Sequence, residues 1–242
     1  MHPEKSRFIL DHAGIKIYKS PLSRPGYLKE LLKREGLGGT IENIHAAYCA
    51  LPLTQAPEEL KPEIRKRQKI LAGILSEAGI NSYDPGSAPF SPDLGLTIKP
   101  DEIYRVDTGK LLGARFFTFL DFLPTTGGGM EEKTSLDCNR IAVVLHDKNI
   151  LTSRMQPNRT IHLQYDNLEK QREDFIEVFK FLQYFKPGMG FDNGEPALLG
   201  FLGNKVYNLE KLIYQIFPDL KYEYDPKVPS IKLKAVNPEL LS

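Results

Sequence analysis

The chain has 242 residues, 41% hydrophobic and 26% charged, with 32 Lys and Arg against 31 Asp and Glu for a formal net charge of +1. That balance belongs to a globular protein and excludes a disordered chain, and without a concentrated basic surface it offers no footprint for nucleic acid. Two isolated cysteines (Cys49 and Cys138), no apolar leader after Met1 and no run long enough to span a bilayer point to a reduced, cytoplasmic setting away from the membrane.

Residues 1–42 read as an N-terminal extension. Short strands are expected at 8–10 and 15–18 around Gly14, and a short helix over 27–33 ended by Gly36, Gly38 and Gly39. This segment could cap a sheet edge, cover a ligand site or contact a second copy.

Ile44–Leu51 is short and mostly apolar, the pattern of a buried strand, and Pro52 closes it. A helix follows over 63–78 with Ile64, Ile70, Leu71, Ile74, Leu75 and Ala78 on one face. Arg65, Lys66, Arg67 and Lys69 read as its solvated side, and Gly79 as its end. Asn81–Asp84 is a second strand, turned by Pro85-Gly86. The Pro-, Gly- and Ser-rich stretch 85–100 is a long loop, of a kind that often covers sites.

Pro100 opens a helix over 101–112 whose first turn is acidic at Asp101 and Glu102. Arg115–Leu120 is the third strand and ends at Asp121; 122–129 reads as a glycine-rich loop and 130–138 as a helix. Arg140–His146 is the clearest strand, with a continuous run Ile141 to Leu145, and Thr160–Gln164 is the fifth. A long amphipathic helix over 169–185 stops at Pro187-Gly188. The remainder, 188–242, reads as a C-terminal extension packed on the main domain, with a helix over 209–217 and a strand-like tail at 231–233.

Strands alternating with helices over 43–187 predict an α/β fold: a three-layer doubly wound sandwich around a mainly parallel five-stranded sheet, flavodoxin-like or Rossmann-like. Such sheets bind ligands beyond the carboxyl ends of their strands. Tyr48, the turn at Pro52, Asp121 and Glu131 fall there. Gly127, Gly128 and Gly129 would let a backbone approach a ligand, with Met130 and Glu131 in the first turn of the next helix, where free amides favour an ionised carboxylate. The same carboxylate serves equally well as a helix cap. The glycine run is neither a dinucleotide fingerprint nor a Walker loop, and the serines lack a nucleophile elbow. The five histidines (2, 12, 45, 146 and 162) form no ligand motif. No metal and no cofactor are therefore expected.

The run Tyr48-Cys49-Ala50-Leu51-Pro52, the aspartate of Tyr104-Arg105-Val106-Asp107, the acidic Asp121 after strand three, and Gly127-Gly128-Gly129-Met130-Glu131 occur in an order that resembles the nucleoside 2-deoxyribosyltransferase-like superfamily, which also holds nucleoside and nucleotide N-glycosidases. The resemblance covers roughly residues 43–165. The aspartate common before the family's glycine turn is replaced by Thr125 and Thr126. The resemblance implies Glu131 as nucleophile at the anomeric carbon and Tyr48 as its positioning partner. It implies Asp107 and Asp121 on sugar hydroxyls or the base proton, and Pro52 with residues 127–130 at the substrate. The partner implied is a small-molecule nucleoside or nucleotide, and a homo-oligomer is left open. A non-catalytic nucleotide-binding or sensor domain of the same fold is the alternative.

Overall fold

Residues 15–17, 43–53, 56–87, 99–121, 126–150 and 159–228 are described by a computed structural model. The expected strand at 8–10, the helix at 27–33, the centre of the 85–100 loop and the tail at 231–233 lie outside these residues.

The long apolar runs become the strands of a parallel sheet. β2 (Asn43–Ala50), β3 (Asn81–Tyr83), β4 (Ala114–Asp121), β5 (Ile141–Asp147) and β6 (Ile161–Tyr165) lie in the order β3-β2-β4-β5-β6. Every neighbouring pair is parallel. All seven residues of β5 are buried, as a central strand covered on both faces requires. The covers are α1 (Lys61–Glu77), α2 (Pro100–Gly113), α3 (Thr126–Asp137) and α4 (Arg172–Leu182).

Alternation along β4 shows how the layers divide. Phe116 meets Phe179 of α4 edge-on at 6.3 Å, while Phe117 stacks on Tyr48, whose phenol is bonded to Glu131 of α3. α4 packs beside α1 on one face and α3 beside α2 on the other. The three-layer α/β sandwich expected from the sequence is thus the observed architecture. Gly79, at φ +79°, ends α1 in the left-handed conformation that glycine adopts without strain. No helix among the described residues is long and apolar enough to cross a membrane.

Two features depart from the linear reading. The charged face of α1 is not uniformly solvated: Arg67 turns inward, its Nη1 2.5 Å from Asp147 Oδ2 and 2.9 Å from the Tyr165 phenol, while its Nε holds Glu63 at 2.8 Å. The C-terminal part also holds more sheet than a helix and a tail. β1 (Ile15–Ile17), β7 (Lys186–Asp192), β8 (Glu195–Leu202) and β9 (Lys205–Asn208) form a second, antiparallel sheet in the order β1-β7-β8-β9. The expected boundary at 187 falls inside β7. The turn Asn193-Gly194, with φ of 52° and 89°, joins β7 to β8 as a two-residue hairpin. α5 (Leu209–Ile216) packs on β8 and β6, and one hydrophobic cluster runs from Ala47 through Leu198, Tyr207 and Leu212 to Leu220.

That seam needs a glycine. A Cβ on Gly200 of β8 would lie 2.3 Å from Leu209 Cδ2 and 2.8 Å from Phe185 Cδ1, both on buried side chains. Gly200→Ala is therefore expected to destabilise the fold by roughly 1–3 kcal/mol through overcrowding. A lowered urea midpoint with unchanged slope checks this; an unaltered midpoint would show that the seam yields freely.

Candidate active site at the sheet switch point

The strand order reverses between β2 and β4, which places the ligand crevice of an open parallel sheet at their carboxyl ends. Tyr48 lies near the end of β2, fully buried, on the face covered by α2 and α3. Its phenol donates to Glu131 Oε1 at 2.7 Å. Beside it, Tyr83 at the end of the edge strand β3 donates to Asp107 Oδ1 on α2 at 2.8 Å. The two tyrosine rings are 5.7 Å apart. Residues 48, 83, 107 and 131, from four different elements, thus form one cluster of two phenols and two carboxyls.

Burial governs its electrostatics. It pushes the Glu131 carboxyl up to about 7; the phenol of Tyr48 opposes this and the nearby charge of Asp107 adds to it. Asp107 is also raised by burial, against the hydrogen bond from Tyr83. Both phenols are held well above the usual tyrosine range, first by burial and then by the neighbouring carboxyls. Near neutral pH the cluster holds Glu131 divided between its acid and carboxylate forms.

The glycine run is not the open turn expected. α3 begins at Thr126, so Gly127, Gly128 and Gly129 are helical and Glu131 stands in the second turn, beyond the free amides of the helix start. The carboxylate is accordingly not favoured by a helix terminus, and desolvation dominates. Met130, one residue earlier, is exposed. Pro52 is buried in the turn that leaves β2.

Asp121 is oriented elsewhere. Its register partner across the sheet is His146 of β5, and Asp121 Oδ2 lies 3.2 Å from His146 Nδ1. His146 Nε2 is 3.0 Å from His162 Nδ1, and Tyr222 stacks on the His146 ring at 4.0 Å. Glu132, raised to about 7 by burial, with the charge of Asp121 adding to the rise, accepts from the Thr160 hydroxyl at 3.0 Å. Adjacent residues of α3 therefore serve different groups: Glu131 faces β2, and Glu132 faces this second, buried cluster over β4, β5 and β6.

No family model matches the chain, and neither curated proteins nor solved structures give a match. The chemistry must be read from the geometry. Two hollows lie nearby. One of about 580 Å³ lies between β3 and α2 toward the amino ends of β2, β3 and β4, lined by Asn43, Asn81, Tyr83, Arg105, Lys110 and Ala114, and it meets the cluster through Tyr83. The other, about 320 Å³, is bordered by His146, Asp147, Lys148, Tyr222 and Glu223. Among the described residues no group of three or more His, Cys, Asp or Glu could hold a metal ion. Cys49 is no nucleophile here: on the opposite sheet face from Tyr48, it is fully buried, and burial pushes its thiol up to about 12.

Tyr83 and the histidine pair are the residues that sequence reasoning missed. A tyrosine directly before the Asp84-Pro85-Gly86 turn, at the carboxyl end of a strand, was the available signal for Tyr83. His162 had none, since its meeting with His146 depends on strand order.

Proposed function

We propose that the chain breaks or exchanges the N-glycosidic bond of a nucleoside or nucleotide, with Glu131 as nucleophile and retention at the anomeric carbon. The observation that carries this reading is the 2.7 Å hydrogen bond from the buried Tyr48 phenol to Glu131 at the sheet's switch point. Such a bond holds one carboxylate oxygen in place and leaves the other to attack. The resemblance of the residue order 48–52, 107 and 127–131 to deoxyribosyltransferases supports the same assignment.

Cleavage develops positive charge on the sugar ring, which a carboxylate stabilises best where water is excluded. The Glu131 oxygen forms a bond to the anomeric carbon as the carbon–nitrogen bond breaks. The leaving base takes the bonding pair and a proton from Asp107, which burial helps keep protonated. A second base or water then gives a proton to the Asp107 carboxylate and attacks the same carbon as its bond to Glu131 breaks, which restores both groups and makes the protein a transferase or a hydrolase. Asp121, engaged with His146, is not assigned a step.

The test is incubation with nucleosides, deoxynucleosides and their 5′-phosphates, with and without free bases, followed by chromatography and NMR of the sugar product. Base release or exchange with retained configuration is expected. An inverted product would remove the nucleophile from the scheme. A second reading, a non-catalytic nucleotide-binding or sensor domain, is favoured by one observation: a carboxyl raised to about 7 is a ready hydrogen-bond donor and only a part-time nucleophile. Saturable nucleotide binding without turnover would establish it.

A further inference from the structure

Tyr83 closes β3, an edge strand whose three residues pair only along β2. Its ring borders the hollow beside α2, where Lys110 Nζ stands 5.4 Å from the ring centre. Its phenol, though, is spent on Asp107 Oδ1 at 2.8 Å. The ring lies 5.7 Å from that of Tyr48, which makes the same kind of bond to Glu131. Each carboxyl is thereby given one fixed phenolic donor, and each phenol comes from an adjacent strand at matched register, Tyr48 opposite Tyr83.

We propose that Tyr83 is a positioning residue for Asp107, and that residues 48, 83, 107 and 131 work as one proton-sharing unit. The proposal rests on the N-glycoside reading for its catalytic consequence, and for the coupling on the two phenol–carboxyl bonds, the 5.7 Å ring separation and the charge of Asp107 felt at Glu131. With Oδ1 occupied as an acceptor, the proton of neutral Asp107 is carried on Oδ2, the oxygen left to serve a departing base. Asp107 in turn acts on Glu131 through charge: when Asp107 is ionised, Glu131 holds its proton more tightly. The groups that face this unit are Tyr48 from β2, Tyr83 from β3, Asp84 just beyond that strand, Asp107 and Lys110 from α2, and Glu131 from α3. Phe117 of β4 closes it with an apolar ring.

Tyr83→Phe keeps the ring and removes only the donor. Asp107 then loses the bond that favours its charged form, so its midpoint rises. A more often neutral Asp107 no longer opposes ionisation of its neighbour, so the Glu131 midpoint falls. The measurement is the ¹³C-carboxyl NMR titration of the free protein, wild type against Tyr83→Phe, Asp107→Asn and the double variant. Opposite displacements of the two midpoints, by about half a pH unit or more, are expected in Tyr83→Phe. In the Asp107→Asn background Tyr83→Phe should leave Glu131 unmoved. Midpoints unchanged in Tyr83→Phe, or a Glu131 displacement that persists in the double variant, would overturn the proposal. The limbs of the kcat/KM profile of Tyr83→Phe should be displaced correspondingly. A purely structural tyrosine would lower the profile without moving either limb, which would also count against the unit. Coupled titration in a chain that turns over no nucleoside would keep the proton-sharing unit and discard the N-glycoside chemistry instead.

Discussion

Glu131→Gln is expected to lower kcat on a cleaved nucleoside by roughly three orders of magnitude while changing KM little. The amide keeps the shape of the side chain and still accepts from the Tyr48 phenol, which lies 2.7 Å from Oε1 in the native protein. It cannot form a glycosyl ester, and it brings no negative charge to the oxocarbenium-like ring. The loss thus falls on the step where charge develops rather than on binding. A rate within a few-fold of wild type would assign the chemistry to another group. Within the cluster, only Asp107 could then take the role.

The same substitution is expected to stabilise the folded protein at alkaline pH. Glu131 and Glu132 are both held at about 7, mainly by burial. A carboxyl whose folded midpoint lies above the ordinary glutamate range binds its proton more tightly in the folded chain than in the unfolded one. Its contribution is therefore most favourable below about 4.5. It turns unfavourable as pH rises, and the full cost is reached above about 7. The cost of ionising each buried carboxyl is on the order of 3 kcal/mol at pH 8. Glu131→Gln should therefore exceed wild type in unfolding free energy at pH 8 and match it near pH 4.5. Glu132→Gln should behave alike and leave turnover largely intact. Urea denaturation of the three proteins across that range is the measurement. Equal stabilities at pH 8, or variants less stable than wild type there, would mean that the carboxylates are compensated where they sit.

How much of this could be read from the sequence varied with the physics that fixed each part. The five strands of the parallel sheet were legible because strands covered on both faces must be continuously apolar, as Ile141 to Leu145 are. The antiparallel sheet was not, because Pro187, Gly188 and Gly190 break the pattern of β7. The Asn193-Gly194 pair was the sign that could have revealed its hairpin. Glycine's low helix propensity made 127–129 look like a loop, yet the first turn of α3 accommodates all three. The Tyr48–Glu131 pairing was legible through residue order. The partners of Asp121 were not, since register across the sheet decides that His146 stands opposite it. Arg67 was misread for a similar reason: its partner Asp147 lies 80 residues away, and a helical charge pattern carries no trace of it.

The proposed reaction stands or falls with a bond between a Glu131 oxygen and the anomeric carbon, and the intermediate that carries this bond can be trapped. The protein would be quenched in acid during turnover of a deoxynucleoside, digested and mapped by mass spectrometry. A deoxyribosyl ester is expected on the peptide that carries Glu131, absent from Glu131→Gln and from protein without substrate. Steady turnover with an unmodified Glu131 peptide, or an ester on a different residue, would contradict it.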